Sequence, residues 1–364
     1  MDTITLILFL GGFVLLFFGA DFLVKGASGL AVTAGLSPLV VGLTVVAYGT
    51  SAPELSVALI SSSAGQSDLA IGNVVGSNIS NILLILGCSA VMSPLVVSRQ
   101  LVRLDIPLMI AISFLLMFMG WDGQLGKLDG ILLCAGAVAY TVFTVVQSRR
   151  ETQNSSAELN QEQDKAKSKK GLKPTLIQLA LMIVGLGMLL LGSEWLINGA
   201  VAIAKIFGMG ELIIGLTIVA VGTSLPELAT SIIATIRGER DIVVGNAVGS
   251  NIFNILLVLG ASSLVSPLGI QVPAPALTFD IPVMIAVAIA CLPIFFTGYR
   301  INRWEGFLFL AYYFAYTLYL ILNATEHDAL DEFSDIMITF VVPLTVITLV
   351  ILVLRTISRS NRNP

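Results

Sequence analysis

Apolar residues occur along this chain in long blocks, separated by short polar segments. One α-helix needs about 20 predominantly apolar residues to cross a bilayer, and blocks of that length recur from one end of the sequence to the other. They predict eleven membrane-spanning helices, near residues 4–24, 38–60, 70–95, 103–121, 129–147, 174–203, 211–236, 243–267, 279–298, 304–322 and 336–354. The pattern therefore predicts an all-α polytopic membrane protein.

The composition agrees with this pattern. Of the 364 residues, 56% are hydrophobic and 12% charged, and the mean hydropathy is +0.94, whereas soluble domains carry about 25% charged residues. The sequence has no HExxH pair, no phosphate-binding loop and no cysteine nucleophile near a histidine. We therefore expect a protein that lies in the lipid bilayer and is not an enzyme, with no cofactor and no nucleic-acid partner.

The distribution of basic residues predicts the orientation, since short loops rich in Lys and Arg stay in the cytoplasm. The charged segment 149–173 fixes the loop between the fifth and sixth spans on the cytoplasmic side. With that choice, all but two of the 19 Lys and Arg residues are cytoplasmic, the exceptions being Lys127 and Lys205. The acidic loop 326–335 and the N-terminus are then outside, and the C-terminus is cytoplasmic.

The chain contains an internal repeat with an offset of 173 residues. GLTVVAYGTSAPELSVALI (42–60) recurs as GLTIVAVGTSLPELATSII (215–233), and GNVVGSNISNILLILG (72–87) recurs as GNAVGSNIFNILLVLG (245–260). Over residues 42–87, 27 of 46 positions are identical without a gap, which is too many for two unrelated apolar segments.

The repeat predicts the domain organisation. Each half has five spans, an odd number, so the second copy enters the membrane from the opposite side, as in many secondary transporters. The fold predicted is two inverted five-helix repeats, a ten-helix core, plus an extra C-terminal transmembrane helix. The boundaries are 1–147 for the first repeat, 148–173 for the cytoplasmic loop, 174–322 for the second repeat, and 323–364 for the external acidic loop, the eleventh helix and the tail.

Each repeat places a glutamate, Glu54 or Glu227, directly after a proline in the middle of a span. A charge at the bilayer centre costs about 2.5–3.5 kcal/mol on insertion scales and is kept where it faces a partner or an ion. On helical faces these acids align with further polar or small residues. The full set of candidates is Ala47, Thr50, Ser51, Glu54, Asn73, Ser77 and Asn81 in the first repeat, and Ala220, Thr223, Ser224, Glu227, Asn246, Ser250 and Asn254 in the second.

Nearly all polar atoms of this set are oxygens, and hard cations such as Ca²⁺ prefer oxygen ligands. Zinc or copper would favour His or Cys, and the one histidine, His327, lies in the acidic outer loop. The two glutamates carry a formal charge of minus two, which one Ca²⁺ or two Na⁺ would neutralise.

Several of these residues also have purely structural explanations. The glycine pairs Gly72/Gly76 and Gly245/Gly249 have the spacing of closely packed membrane helices, and hydroxyl groups in a helix often bond back to the preceding turn. Asp21 and its repeat equivalent Glu194 lie near span ends, where an acid needs no ion.

GTSAPEL with GNVVGSNISN, and GTSLPEL with GNAVGSNIFN, resemble the two alpha-repeats of the calcium/cation antiporter superfamily, in particular compact prokaryotic sodium/calcium exchangers. The resemblance implies that Glu54 and Glu227 are the central calcium ligands and that main-chain oxygens of Thr50 and Thr223 assist them. It implies sodium positions at Ala47, Ala220, Ser77 and Ser250, and a location in the prokaryotic plasma membrane.

The chain differs from some relatives in having Asn254 where they have aspartate, which leans against potassium dependence. By counting charges, we expect that an aspartate at this position would tighten cation binding.

The leading hypothesis is a secondary antiporter that exchanges Ca²⁺ for Na⁺ by alternating access to one midmembrane site. A Ca²⁺/H⁺ exchanger that uses the same glutamates is the nearest alternative, and a cation channel is a more distant one. The sequence leaves the oligomeric state open.

Overall fold

The computed structural model describes residues 3–158, 172–296 and 298–360 of the chain. These residues are almost entirely helical. The helices are α1 (Thr3–Ala34), α2 (Pro38–Thr50), α3 (Ala52–Ser63), α4 (Ser67–Met92), α5 (Leu101–Asp122), α6 (Lys127–Glu158), α7 (Leu172–Ile206), α8 (the successive segments Glu211–Ile214, Gly215–Val219 and Ala220–Thr223), α9 (Leu225–Ile236), α10 (Arg240–Val265), α11 (Ala276–Phe296), α12 (Arg303–Ala324) and α13 (Ala329–Leu352).

Within the described residues, nine single helices are long and apolar enough to cross a membrane. The two spans that carry the glutamates differ from the prediction of one helix each. The span predicted at 38–60 is divided into α2 and α3, which meet at an angle of 45°, and the span predicted at 211–236 is divided into α8 and α9 at Ser224.

The two prolines explain these breaks. Pro53 is the second residue of α3 and Pro226 is the second residue of α9. A proline has no N–H to donate and its ring clashes with the preceding turn, so the helix ends before it and restarts with the proline in its first turn. The sequence predicted the disturbance but not the interruption of the helix at the serine of each GTS motif.

The sequence repeat is also a repeat of local geometry. Wider, π-helical turns occur at Gly42–Val46 and again at Gly215–Val219, and they recur at Asn81–Leu86 and Asn254–Leu259. Such turns are rare and occur mostly at functional sites. All four turns lie within the repeated stretches of sequence, next to the GTS and GSN motifs.

Helices α1 and α7, the first helix of each half, pack closely along their length through glycines. A methyl group added at Gly12 would lie 2.9 Å from the carbonyl oxygen of Gly192, and one added at Gly19 would lie 2.8 Å from the carbonyl oxygen of Gly185. The two contacts exchange partners under the 173-residue offset, as expected for halves packed about a pseudo-two-fold axis.

The structure also contains two short antiparallel strand pairs that the all-α prediction did not include. β1 (Leu95–Val96) pairs with β4 (Arg300–Ile301), and β2 (Gln124–Leu125) pairs with β3 (Ile270–Gln271). Each pair joins one strand from each half at the ends of the helices.

Helix α10 is almost wholly buried and lies at the centre of the protein, whereas few residues of α13 are buried and most are exposed. The low burial of α13 is consistent with a peripheral position for the additional C-terminal helix. The cytoplasmic loop predicted at 148–173 lies partly outside the described residues. Helix α6 continues into the first part of this loop and ends at Glu158.

Candidate ion-binding site

The two broken spans and the two helices that follow them meet inside the protein. Glu54 lies in the first turn of α3 and Glu227 in the first turn of α9. Each side chain is only 1% exposed. The first turns of α3 and α9 therefore hold two carboxyl groups in the interior, next to the point where each span is interrupted.

Serine hydroxyls from both halves bond to these carboxyl groups. Ser77 Oγ donates to Glu54 Oε1 at 3.2 Å, and Ser224 Oγ from the other half reaches the same oxygen at 3.4 Å. Ser51 Oγ donates to Glu227 Oε1 at 3.2 Å. Because Ser51 and Ser224 each bond the glutamate of the opposite repeat, the structure brings both predicted motifs into one site.

Several buried oxygens at this site have no hydrogen-bond partner among the described residues. They are Glu54 Oε2, Glu227 Oε2, Asn81 Oδ1, Asn254 Oδ1 and Ser250 Oγ. A buried polar atom without a partner costs about 1–3 kcal/mol, so a group of five needs an explanation. Carboxylate, amide and hydroxyl oxygens are ligands of hard cations, and this donor set fits such an ion.

Other predicted residues lie at or near the site, but their side-chain oxygens are not among these unpartnered atoms. Thr50 Oγ1 donates to Asn246 Oδ1 at 3.1 Å, and Asn73 Nδ2 donates to the backbone oxygen of Glu54 at 3.0 Å. Ala47 is fully buried, and Thr223 is half-buried. The side chain of Ala220 lies outside the described part of the structure.

The sequence analysis missed Asn78 and Asn251, the asparagines of the two GSN motifs. Asn78 Nδ2 donates to the backbone oxygen of Asn251, and Asn251 Nδ2 donates to the backbone oxygen of Asn78, both at 3.2 Å. They connect α4 and α10 directly. Each follows a candidate serine by one position and so falls off the helical face that the prediction used, although the repetition of the motif already singled it out.

A second repeated motif was also missed. DIPLMI (105–110) recurs as DIPVMI (280–285), at an offset of 175, so an insertion of two residues hides it from a gapless search. Tyr140 donates to Asp105 Oδ1 at 3.1 Å, and Tyr316 donates to Asp280 Oδ1 at 3.0 Å. These acids lie on α5 and α11 and bond to the helix that follows.

Asp21 takes part in an ion-pair cluster away from the site. Its carboxylate contacts Lys25 Nζ at 2.7 Å and Arg237 Nε at 2.8 Å, which joins α1 to the residue after α9. Its repeat equivalent Glu194 is exposed. The structural explanation of these two acids is therefore the better one.

Comparisons with known proteins agree with this architecture. The family model "Sodium/calcium exchanger protein" matches residues 4–146 and 177–322, two ranges that begin 173 residues apart. The inner membrane protein YrbG of Escherichia coli is 39% identical over 283 residues, which cover 77% of this chain and 86% of YrbG. The sodium/calcium exchanger MaX1 of Methanosarcina acetivorans is 32% identical over 349 residues, covering 88% and 99%.

A solved structure of the sodium-calcium exchanger NCX_Mj, soaked with Na⁺ and Ca²⁺, superposes with a TM-score of 0.73 at 31% identity and covers 89% of this chain and 99% of that one. Exchangers of this kind are transporters and not enzymes, and ions are their cargo rather than cofactors. The chain is therefore an integral membrane cation antiporter that belongs to the sodium/calcium exchanger protein family.

Proposed function

We propose that this protein exchanges Ca²⁺ for Na⁺ across the membrane, with both ions competing for the oxygens between Glu54 and Glu227. The observation that carries the proposal is the pair of buried carboxyl groups beside buried oxygens that have no partner among the described residues. Ca²⁺ takes six to eight oxygen ligands, and the site offers carboxylate, amide and hydroxyl oxygens from both halves.

The residue roles follow the predicted assignment, and the unpartnered oxygens support it. Glu54 and Glu227 supply the charge that binds Ca²⁺. Neutral oxygens complete its shell and hold Na⁺ in its absence. In this proposal main-chain oxygens of Thr50 and Thr223 assist calcium, the sodium positions are at Ala47, Ala220, Ser77 and Ser250, and the remaining contacts come from Ser51, Ser224, Asn81 and Asn254.

The packing of the half-helix α2 on α10 supports a closed barrier on one side of the site. Helix α2 lies directly on α10: a methyl group at Gly245 would be 2.7 Å from the carbonyl oxygen of Leu39, and one at Gly249 would be 2.5 Å from that of Leu43. At the equivalent glycines of α4, Gly72 and Gly76, no described atom lies within 4 Å of an added methyl group. The prediction of close packing is thus correct for the second glycine pair, and for the first pair it stays a prediction, because part of α8 lies outside the described side chains.

We further propose the orientation given by the basic residues, with the N-terminus outside and the C-terminus in the cytoplasm of a prokaryotic cell, in its plasma membrane. The two inverted repeats would span 1–147 and 174–322. Helix α2 then begins on the cytoplasmic side and α8 on the outer side, so the closed packing at Gly249 faces the cytoplasm and the open one at Gly76 faces outward.

Sodium is the coupling ion that the relatives favour, since MaX1 is named a sodium/calcium exchanger and NCX_Mj was soaked with Na⁺. The test is Ca²⁺ flux in vesicles reconstituted with the purified protein, with sodium and pH gradients imposed separately. We expect an opposing Na⁺ gradient to drive Ca²⁺ movement at constant pH. Flux driven by a pH gradient alone and indifferent to Na⁺ would establish proton exchange instead.

A further inference from the structure

Tyr48 connects the half-helix α2 to two helices of the surrounding core. Its hydroxyl oxygen lies 2.9 Å from Thr141 Oγ1 on α6. Its ring lies against that of Phe253 on α10, with ring centroids 3.7 Å apart and ring planes inclined by 32°. Both contacts occur about one turn beyond the point where Gly249 meets the backbone of Leu43. They therefore hold the end of the α2–α10 packing that lies next to the GTS motif.

The hydroxyl groups leave one assignment for the hydrogen bond between Tyr48 and Thr141. A threonine hydroxyl has a single hydrogen to donate, and a backbone oxygen only accepts. Because Thr141 Oγ1 lies 2.8 Å from the backbone oxygen of Ala137, Thr141 donates to Ala137 and accepts from Tyr48. A phenylalanine at position 48 would keep the ring contact and lose this bond.

The surface that Tyr48 contacts is built from three helices. Phe253 is only 1% exposed, and the ring of Tyr140 on α6 meets it edge to face with centroids 5.8 Å apart. Tyr140 in turn donates its hydroxyl to Asp105 Oδ1 on α5 at 3.1 Å. Helix α2, in contrast, is a half-helix that ends two residues after Tyr48. A moving α2 would therefore leave this surface, and Tyr48 is where the two are joined.

The second repeat cannot form the same contacts. Under the 173-residue offset, the residue equivalent to Tyr48 is Val221 on α8, and the residue equivalent to Phe253 is Ser80 on α4. A valine side chain has no hydrogen-bonding group, and neither residue has an aromatic ring. The two half-helices that carry the GTS motifs thus differ in the means of holding them in place.

We propose that Tyr48, Thr141 and Phe253 form a latch that holds α2 on α10 and keeps the site closed on the membrane face where α2 begins. Opening that face separates α2 from α10 and breaks both contacts of Tyr48. Opening the other face is not opposed in this way, because Val221 cannot form them. Tyr48 is thus a positioning residue that biases the exchanger towards one face. The inference rests on the proposed alternating access and is independent of which ion is coupled to Ca²⁺.

The test measures how fast a cysteine in place of Leu43 reacts with a membrane-impermeant thiol reagent added to one face of reconstituted vesicles at a time. Leu43 is fully buried at Gly249, so this cysteine reacts when α2 leaves α10. The native cysteines are replaced by alanine, at Cys88, Cys134 and Cys291. We expect Tyr48→Phe to raise the labelling rate from the α2 face by roughly two- to tenfold, with no rise from the opposite face.

Thr141→Val removes the acceptor of the same hydrogen bond. It should raise the labelling rate by a similar factor, and the double variant with Tyr48→Phe should exceed neither single variant by much, because both changes remove one interaction. Thr44→Val is the matched control, since the Thr44 hydroxyl lies on the same half-helix but bonds back to the backbone oxygen of Val40 at 2.6 Å. It should leave the labelling rate unchanged.

Ca²⁺ exchange gives a second readout that a general structural defect would not produce. A ligand binds with an apparent affinity reduced by the fraction of protein in the competent arrangement. Tyr48→Phe should therefore lower the apparent KM for Ca²⁺ on the α2 face by about the same factor as it raises labelling, and it should not lower the KM on the opposite face.

Labelling from the α2 face that stays at the wild-type rate in both Tyr48→Phe and Thr141→Val would overturn the proposal. So would an equal rise from both faces, or fully additive effects in the double variant. Labelling needs no transport, so this result is separate from the proposed function: wild-type Ca²⁺ flux that ignores Na⁺ would refute the proposed exchange and leave the test of the latch intact.

Discussion

Replacing Glu54 or Glu227 by glutamine removes one charge from the site while preserving the shape of the side chain. Each glutamate has one carboxylate oxygen bonded to a serine and one without a partner among the described residues. Glutamine can still accept the serine bond through its carbonyl oxygen. It then turns an NH₂ group, a donor, towards the position proposed for the cation.

The expected effect is large because the site is buried. At about 2.4 Å and an effective dielectric constant of about 20, Ca²⁺ and one carboxylate attract each other by roughly 14 kcal/mol before desolvation is counted. Breaking a buried charge pair by removing one partner costs a net of about 3–5 kcal/mol. We therefore expect Ca²⁺ affinity to fall by roughly 100- to 4,000-fold, which abolishes transport at ordinary Ca²⁺ concentrations.

The assay is Na⁺-driven Ca²⁺ uptake by reconstituted vesicles, together with thermal unfolding of the purified variants in detergent. Glu194→Gln is the matched control, since it makes the same chemical change at an exposed residue of α7. We expect all three variants to fold and only the control to transport. Near wild-type uptake by Glu54→Gln or Glu227→Gln would refute the assignment of the site.

Three further predictions concern packing, topology and charge movement. Gly249→Ala should destabilise the protein by about 1–3 kcal/mol through overpacking against α2, whereas Gly76→Ala should be neutral or stabilising; equal melting temperatures for the two variants would contradict the packing difference. A cysteine introduced in 149–173 should react with an impermeant reagent only from the cytoplasm and one in 326–335 only from outside, and labelling of both from one side would overturn the topology. Exchange of three Na⁺ for one Ca²⁺ would move one net charge, worth about 2.3 kcal/mol per 100 mV; flux that ignores a valinomycin-clamped voltage would exclude that ratio.

Much of the fold could be predicted from the sequence because the bilayer imposes a strong rule on it. A span must be apolar over its whole length and must satisfy its backbone internally, so hydropathy gives the helices directly. The repeat then identified Glu54 and Glu227 as equivalent, and the structure brings their motifs together through Ser51 and Ser224.

The parts that escaped prediction depend on contacts between distant segments. The helical face of α4 that contains Ser77 and Asn81 does not include Asn78. The importance of Asn78 comes from its hydrogen bond to Asn251, which lies in the other half of the chain. The DIPLMI motif escaped because its copy is displaced by two further residues. No local property of Asn78 reveals that a backbone carbonyl fixes its amide orientation.

The close packing of α2 on α10 at Gly245 and Gly249 could not be predicted from the motifs, since both halves carry the same glycines at equivalent places. In an antiporter with two identical halves, the arrangements open to either side would be equivalent, and only positions that differ between the halves can favour one of them. The Asp21–Arg237 ion pair is such a position: its repeat equivalents are Glu194 and Ala64, which cannot form it. A partly exposed pair contributes about 1 kcal/mol or less, yet that is enough to change the ratio of two nearly balanced conformations about fivefold. Small differences of this size leave both arrangements accessible, which an antiporter needs.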